Sequence, residues 1–184
     1  MRLTGFIGIN VNHQRIDMSY RLYFITCLVV TVFTTSGVIA GNFSFSPISC
    51  EFSVEFPAKY KLKEISLGGK HGVIASLSLD TLNNLRAESW ALSNHLPVEV
   101  YAQQLEDEIR ERGVIVNNVM IDKNSKFGDQ IILTGRMKLG GETFHVKTVS
   151  FIGIKTRLDL IIISDSMMTQ AKAQVDFRNS VRRK

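Results

Sequence analysis

Residues 130–164 read QIILTGRMKLGGETFHVKTVSFIGIKTRLDLIIIS, and this stretch decides the fold. Gly140-Gly141 lies between two runs rich in β-branched and aromatic residues, the sequence form of a two-residue hairpin. Counting outward from it sets Met137 opposite Phe144, Arg136 opposite His145 and Gly135 opposite Val146. A second turn at Ile154-Lys155 sets Phe151 opposite Leu158 and Val149 opposite Leu160. The strands Gln130–Lys138, Thr143–Ile152 and Arg157–Ser164 then carry Phe144, Val146, Ile161 and Ile163 on one face. Val149, Phe151, Leu158, Leu160 and Ile162 occupy the other. Both faces are apolar enough to need cover, so the sheet is antiparallel and buried on both sides.

Upstream, Pro97–Arg112 predicts a helix. Pro97 suits the first helical position, and Val98, Tyr101, Leu105 and Ile109 form one apolar stripe at steps of three or four. Glu106 with Arg110 and Glu108 with Arg112 are spaced as i,i+4 ion pairs, and Gly113 is the natural stop. Cys50–Phe56 alternates strictly, as a half-buried strand does. Tyr60–Ile65, His71–Leu79, Leu85–Leu92 and Val114–Asp122 read as further strands. A second helix is expected near Met167–Arg182, capped by Ser166, with an apolar stripe of Met168, Ala171 and Val175 flanked by Phe177 and Val181. Arg182-Arg183-Lys184 would complement its dipole. The fold class expected is α+β: an antiparallel sheet flanked by helices on both faces.

The chain has 184 residues, 45% of them hydrophobic and 21% charged, which excludes a disordered chain, a collagen repeat and a coiled-coil rod. Two cysteines exclude a disulfide scaffold. Formal charge is +5; the first forty residues hold three arginines against one aspartate, leaving +3 on the rest. Such a modest excess argues against nucleic acid as a partner.

Residues 22–40, LYFITCLVVTVFTTSGVIA, carry no charge and follow Arg21. The apolar front half, the softer Thr34–Gly37 and the closing Val38-Ile39-Ala40 together read as an export signal cut near Ala40. A membrane anchor over the same residues is the alternative, and would be the chain's one membrane contact. Met18-Ser-Tyr-Arg21 would make an ordinary short basic start, so translation could begin at Met18. Residues 41–49 then form a short leader, and 50–184 a single domain placed in the periplasm or secreted. Cleavage would leave Cys50 as the one thiol, either a buried small hydrophobe or an intermolecular pairing site.

The order of strands, helix, strand meander and helix resembles the PsbP-like superfamily, the fold of the extrinsic photosystem II subunit and of the Ran-binding Mog-type proteins. FSVEFP, the helix ending in ERG, ILTGRMKLGGETFHVKTVSF and the closing FRNSV carry the resemblance, which covers most of residues 50–184. Small exported bacterial proteins share this layout. The resemblance implies partner binding or support of assemblies; it implies no common catalytic set and no cofactor, so no residue role is carried across.

Chemistry-bearing patterns are sparse. His71, His95 and His145 stand far apart with no HxH, HxxxH or CxxC spacing, so no metal site is expected. There is no G-x-S-x-G, and a Cys50–His145 pairing is the one conceivable nucleophile–base couple. The acidic run Glu106-Asp107-Glu108 with Glu111 is interleaved with Arg110 and Arg112, a solvated helix face. Gly68-Gly69-Lys70-His71-Gly72 lacks phosphate-loop spacing and reads as a turn. One constellation stands out: in the hairpin register, Arg136, Lys138, His145 and Lys147 share a face with Thr134. This basic patch would suit an acidic protein surface in the cell envelope or an anionic envelope polymer. The expected function is thus a non-enzymatic exported domain acting through protein contacts, with a small-ligand or polymer-binding module as the alternative.

Overall fold

Gly140 and Gly141 both adopt positive φ, +59° and +89°, the conformation a primed two-residue turn requires. That turn fixes the register of its two strands, β7 (Gln130–Leu139) and β8 (Glu142–Ile152), with Met137 opposite Phe144, Arg136 opposite His145 and Gly135 opposite Val146. β9 (Thr156–Ser164) follows, with Phe151 opposite Leu158 and Val149 opposite Leu160. All five pairings are those the two turns predict. The computed structural model describes residues 43–67, 70–123, 125–165 and 172–184. The signal segment, the Ser166 cap, Met168 and Ala171 lie outside the described residues.

β1 (Phe43–Phe45), β2 (Phe52–Phe56), β3 (Lys61–Leu67), β4 (Lys70–Ser78), β5 (Asn84–Ala91) and β6 (Ile115–Asp122) complete the longer strands. Seven of these form one antiparallel sheet in the order β3-β4-β5-β9-β8-β7-β6. β9 therefore inserts between β5 and β8, joining the two halves of the meander. The expected leader contains β1, which pairs with β2 and buries Phe45. Its brevity explains why it escapes a pattern reading: Phe43-Ser44-Phe45 is too short to show a period.

One face of the large sheet is covered by α1 (Val98–Glu111), which packs on β6 and β7 and buries Val98, Tyr101, Ala102, Leu105 and Ile109. Pro97 caps it from outside (φ −54°, ψ 144°), one position earlier than expected, and Gly113 ends it at φ +84°. Tyr101 fastens the entry loop, its hydroxyl donating to the Asn94 carbonyl at 2.5 Å and accepting from the Leu96 N–H at 3.2 Å.

The opposite face corrects the expectation of helices on both sides. It is covered mainly by a second sheet of three strands, β1-β2-β10, with β10 (Arg182–Arg183) pairing Ser53 and Phe52 of β2. Phe45, Cys50, Phe52, Val54 and Phe56 pack there against Ala75, Leu85, Ala87, Val149, Phe151, Leu158, Leu160 and Ile162. A short helix, α2 (Lys172–Asn179), adds Phe177, whose ring lies 4.7 Å from that of Phe56. The alternation of β2 explains the outcome: three large apolar side chains on one side of a strand cover a sheet face as a helix stripe would. The expected second helix also ends early. Ser180 stops it, its hydroxyl accepting from the Glu55 N–H at 2.9 Å and donating to the Phe177 carbonyl at 2.7 Å. Val181 is then buried and Arg182-Arg183 is strand, not helix end. Gln174 and Phe177, rather than Val175, form the buried side of α2.

Cys50 is buried and free within this core. Among the described residues no helix is long and apolar enough to cross a membrane.

Candidate functional site

Two groups of charged residues stand on opposite faces of the large sheet. The first is the basic patch. The hairpin register places Arg136 opposite His145, Thr134 opposite Lys147 and Lys138 opposite Thr143, so side-chain alternation puts all of them on the small-sheet face. Arg136 and Lys138 are exposed near the turn; His145 and Lys147 are half-buried. α2 adds a member that sequence reasoning missed, Arg178. Burial, and then the nearby Arg178 guanidinium, hold the Lys147 ammonium below its ordinary value. Arg136, Lys138, Lys147 and Arg178 make no ion pair among the described residues.

The patch continues onto β6, where Ile115 pairs with Arg136 and Met120 with Ile132. Both are large hydrophobics left open, Ile115 at 62% and Met120 at 49% of full exposure. A groove of about 190 Å³ at this corner is lined by Ile115, Arg136, Met137, Lys138 and Thr143.

The second group is buried beneath α1. Glu88 on β5, fully buried, accepts a two-pronged contact from Arg112 of the helix terminus (2.7 and 3.0 Å) and a bond from the Trp90 indole N–H at 3.1 Å. Arg86 Nε lies 2.6 Å from the same carboxylate. Directly across the ladder stands Asp159 of β9, which accepts from Ser150 Oγ at 2.5 Å and from Arg157 Nε at 3.0 Å. Arg157 also reaches Glu108 of α1 at 2.5 Å. Glu108 and Arg112, expected as a pair along the helix, thus both turn to the sheet, which offers each an opposite charge; Glu106–Arg110 forms as expected at 2.5 Å.

Two carboxylates opposed in neighbouring strands repel, and the arginines decide how each responds. Burial raises Glu88, but Arg112, Arg86 and its hydrogen bonds outweigh it and hold the carboxyl below its ordinary value. For Asp159 burial prevails over Arg157, aided by the Glu88 charge, and its carboxyl is pushed up. With Arg86, Arg112 and Arg157 facing Glu88, Glu108 and Asp159, the cluster is matched in charge and closed off by α1. Its chemistry is that of a clamp between helix and sheet. Sequence alone carries one signal for it: Arg157 and Asp159 alternate with Leu158 and Leu160 in a strand buried on both faces.

The structure brings none of the other chemistry-bearing residues together. Cys50 is buried in the small-sheet core and makes no hydrogen bond to His145. His71 and His95 are both exposed, and His71 borders a groove of about 310 Å³ with Ser49, Glu64 and Ser89. No group of three or more His, Cys, Asp or Glu among the described residues could hold a metal ion.

No protein-family model matches the sequence, and no curated protein does. Among solved structures, the chain is similar to a protein of Bacteroides thetaiotaomicron VPI-5482, with TM-score 0.46 and 12% identity over 79% of this chain and 49% of that one. It therefore spans about half the length of that protein. It is also similar to LpqN of Mycobacterium tuberculosis, described as involved in cell envelope biogenesis, with TM-score 0.39 and 14% identity over 79% and 85% of the two chains. Likenesses at this level carry no functional weight.

Proposed function

We propose that this chain is an exported, non-enzymatic domain of PsbP-like layout that acts in the cell envelope by binding an acidic protein surface on its basic face. One observation carries the reading: Arg136, Lys138, Lys147 and Arg178 collect on one surface and make no ion pair among the described residues, while the arginines under α1 are each matched. Like charges gathered on paired strands and a neighbouring helix give the fold nothing and cost it a little. A partner of opposite charge gives such a face its use, through steering and complementarity.

The test is crosslinking in the envelope, with partners identified by mass spectrometry, for the wild-type chain and for Arg136→Ser with Lys147→Ser. Stability of the double variant should stay within ~0.5 kcal/mol, as for other surface changes. Capture of an acidic partner should weaken and lose its salt dependence. Unchanged capture overturns the reading. Export is checked on the same material: the envelope form should begin at Gly41 or within a few residues, and recovery of the full chain from the cytosol overturns export.

A further inference from the structure

The two edges of the large sheet are built differently. β3, at one edge, exposes Leu62 but flanks it with exposed Lys61, Lys63 and Glu64, the charged kind of edge that discourages further pairing. β6, at the other, reads IVNNVMID from Ile115 to Asp122, with no proline and a charge only at its last residue, and exposes Ile115 and Met120. An edge of that composition is a template for another strand.

The hairpin fixes which groups this edge offers. In a two-residue turn the closing pair, here Leu139 and Glu142, is hydrogen-bonded, and bonding alternates along the ladder from there. The residues Arg136, Thr134, Ile132 and Gln130 therefore bond toward β6, and their partners Ile115, Asn118, Met120 and Asp122 bond back. Val119 and Ile121 turn their N–H and C=O groups outward. A bulge between Val116 and Asn118 ends the regular edge, so pairing would begin at Asn118–Asp122 and run toward the groove at Ile115, Arg136 and Lys138.

We infer that β6 takes an extended acidic segment of the partner as an eighth strand of the sheet, an inference that rests on the basic-face reading above. Side chains of the added strand alternate between two faces. Those on the small-sheet face lie beside Asn118, Met120 and Asp122; a carboxylate is matched at the Asn118 end, toward Arg136, and an apolar or neutral residue suits the Asp122 end. Those on the α1 face lie beside half-buried Val119 and Ile121 and are best apolar. The segment recognised thus alternates acidic and apolar residues toward the Asn118 end.

The experiment uses the full chain and a fluorescein-labelled nonapeptide of alternating Glu and Val, read by anisotropy. Methylating the backbone nitrogens of alternate residues in the peptide, in either phase, yields one form that cannot donate to the edge. That form should bind at least ~10-fold more weakly, because the donors facing β6 are lost. Val119→Pro should weaken the parent peptide to a similar extent, and the peptide series keeps the test valid should that variant fold poorly. Both methylated forms binding as the parent does overturns strand addition while leaving the basic face intact. Arg136→Ser with Lys138→Ser binding the peptide as tightly as wild type, and Glu→Gln peptide binding equally, overturns the basic-face reading itself. A wild-type chain that is dimeric, and monomeric as Val119→Pro, assigns the edge to a second copy and overturns the acidic segment.

Discussion

Glu88→Gln is the most informative single change to the fold. The side chain keeps its size, so packing is preserved and the charge alone is removed. Two arginines lose their counter-charge, Arg112 with two contacts and Arg86 at 2.6 Å, while the amide oxygen that remains can still accept from the Trp90 indole. Breaking a buried ion pair by removing one partner costs ~3–5 kcal/mol, because the remaining charge stays desolvated. Arg112 and Arg86 retain 18% and 20% of their side-chain exposure, so water relieves part of that, and the lower end, ~3 kcal/mol, is expected. At ~3 °C per kcal/mol for a domain of this size, the midpoint of thermal unfolding should fall by about 10 °C. Acid sensitivity should change too. Glu88 sits below its ordinary value of 4.5 in the fold, so its contribution is complete above that value and is lost as pH falls through the folded one. Asp159 has the opposite sign: raised in the fold, it costs stability as pH climbs above 3.8 toward its folded value. Without Glu88 the opposing slope remains, so urea stability of the variant should fall less steeply below about pH 4.5. Adding Arg112→Gln should cost little more, since the partners act as a unit. A variant within ~1 kcal/mol of wild type at pH 7, or with an unchanged acid slope, would refute the clamp.

Phe151→Ala should cost ~3–5 kcal/mol in urea unfolding, since the ring is buried between Phe52 and Phe127 at 5.9 and 5.8 Å; an unchanged midpoint would contradict the core. Gly135→Ala places a Cβ 2.6 Å from Val114 Cγ1 and 2.7 Å from the Ile115 carbonyl oxygen, so it should cost ~1–3 kcal/mol by forcing β6 away; wild-type stability would mean that approach is looser. Cys50 should resist a thiol reagent in the native state and react fully once unfolded, and prompt native labelling would count against its burial.

The parts of the fold legible in the sequence are those set by local chemistry. Gly140-Gly141 dictates a turn, the turn dictates a register, and every pairing counted from it appears in the sheet. The stripe Val98, Tyr101, Leu105 and Ile109 likewise buries as one face. What escapes a sequence reading depends on long-range placement. Arg182-Arg183 reads as a basic helix end, yet Ser180 stops the helix and the arginines pair with β2, more than a hundred residues away. The basic patch was legible in four residues because they share one hairpin; Arg178 was not, because it arrives on a separately docked helix. The charged clamp was hidden for the same reason: Arg86, Glu88, Glu108, Arg112, Arg157 and Asp159 come from three elements and meet only because β9 lies between β5 and β8.

The two charged groups follow from one geometric fact, the position of α1. Charges under the helix are largely withdrawn from water, so each is held by an opposite charge: Glu88 by Arg86 and Arg112, Asp159 by Arg157, and Arg157 also by Glu108. The helix so clamped lies over β6 and β7 on that face. On the other face the small sheet and α2 cover the middle of the large sheet, and Ile115 and Met120 of β6 remain open. β6 therefore has support on one side only, beside cations that reach solvent and need no internal partner. Moving α1 would cover or expose that edge, so the buried clamp and the open patch are parts of the same arrangement: the first holds the helix over the strand that borders the second.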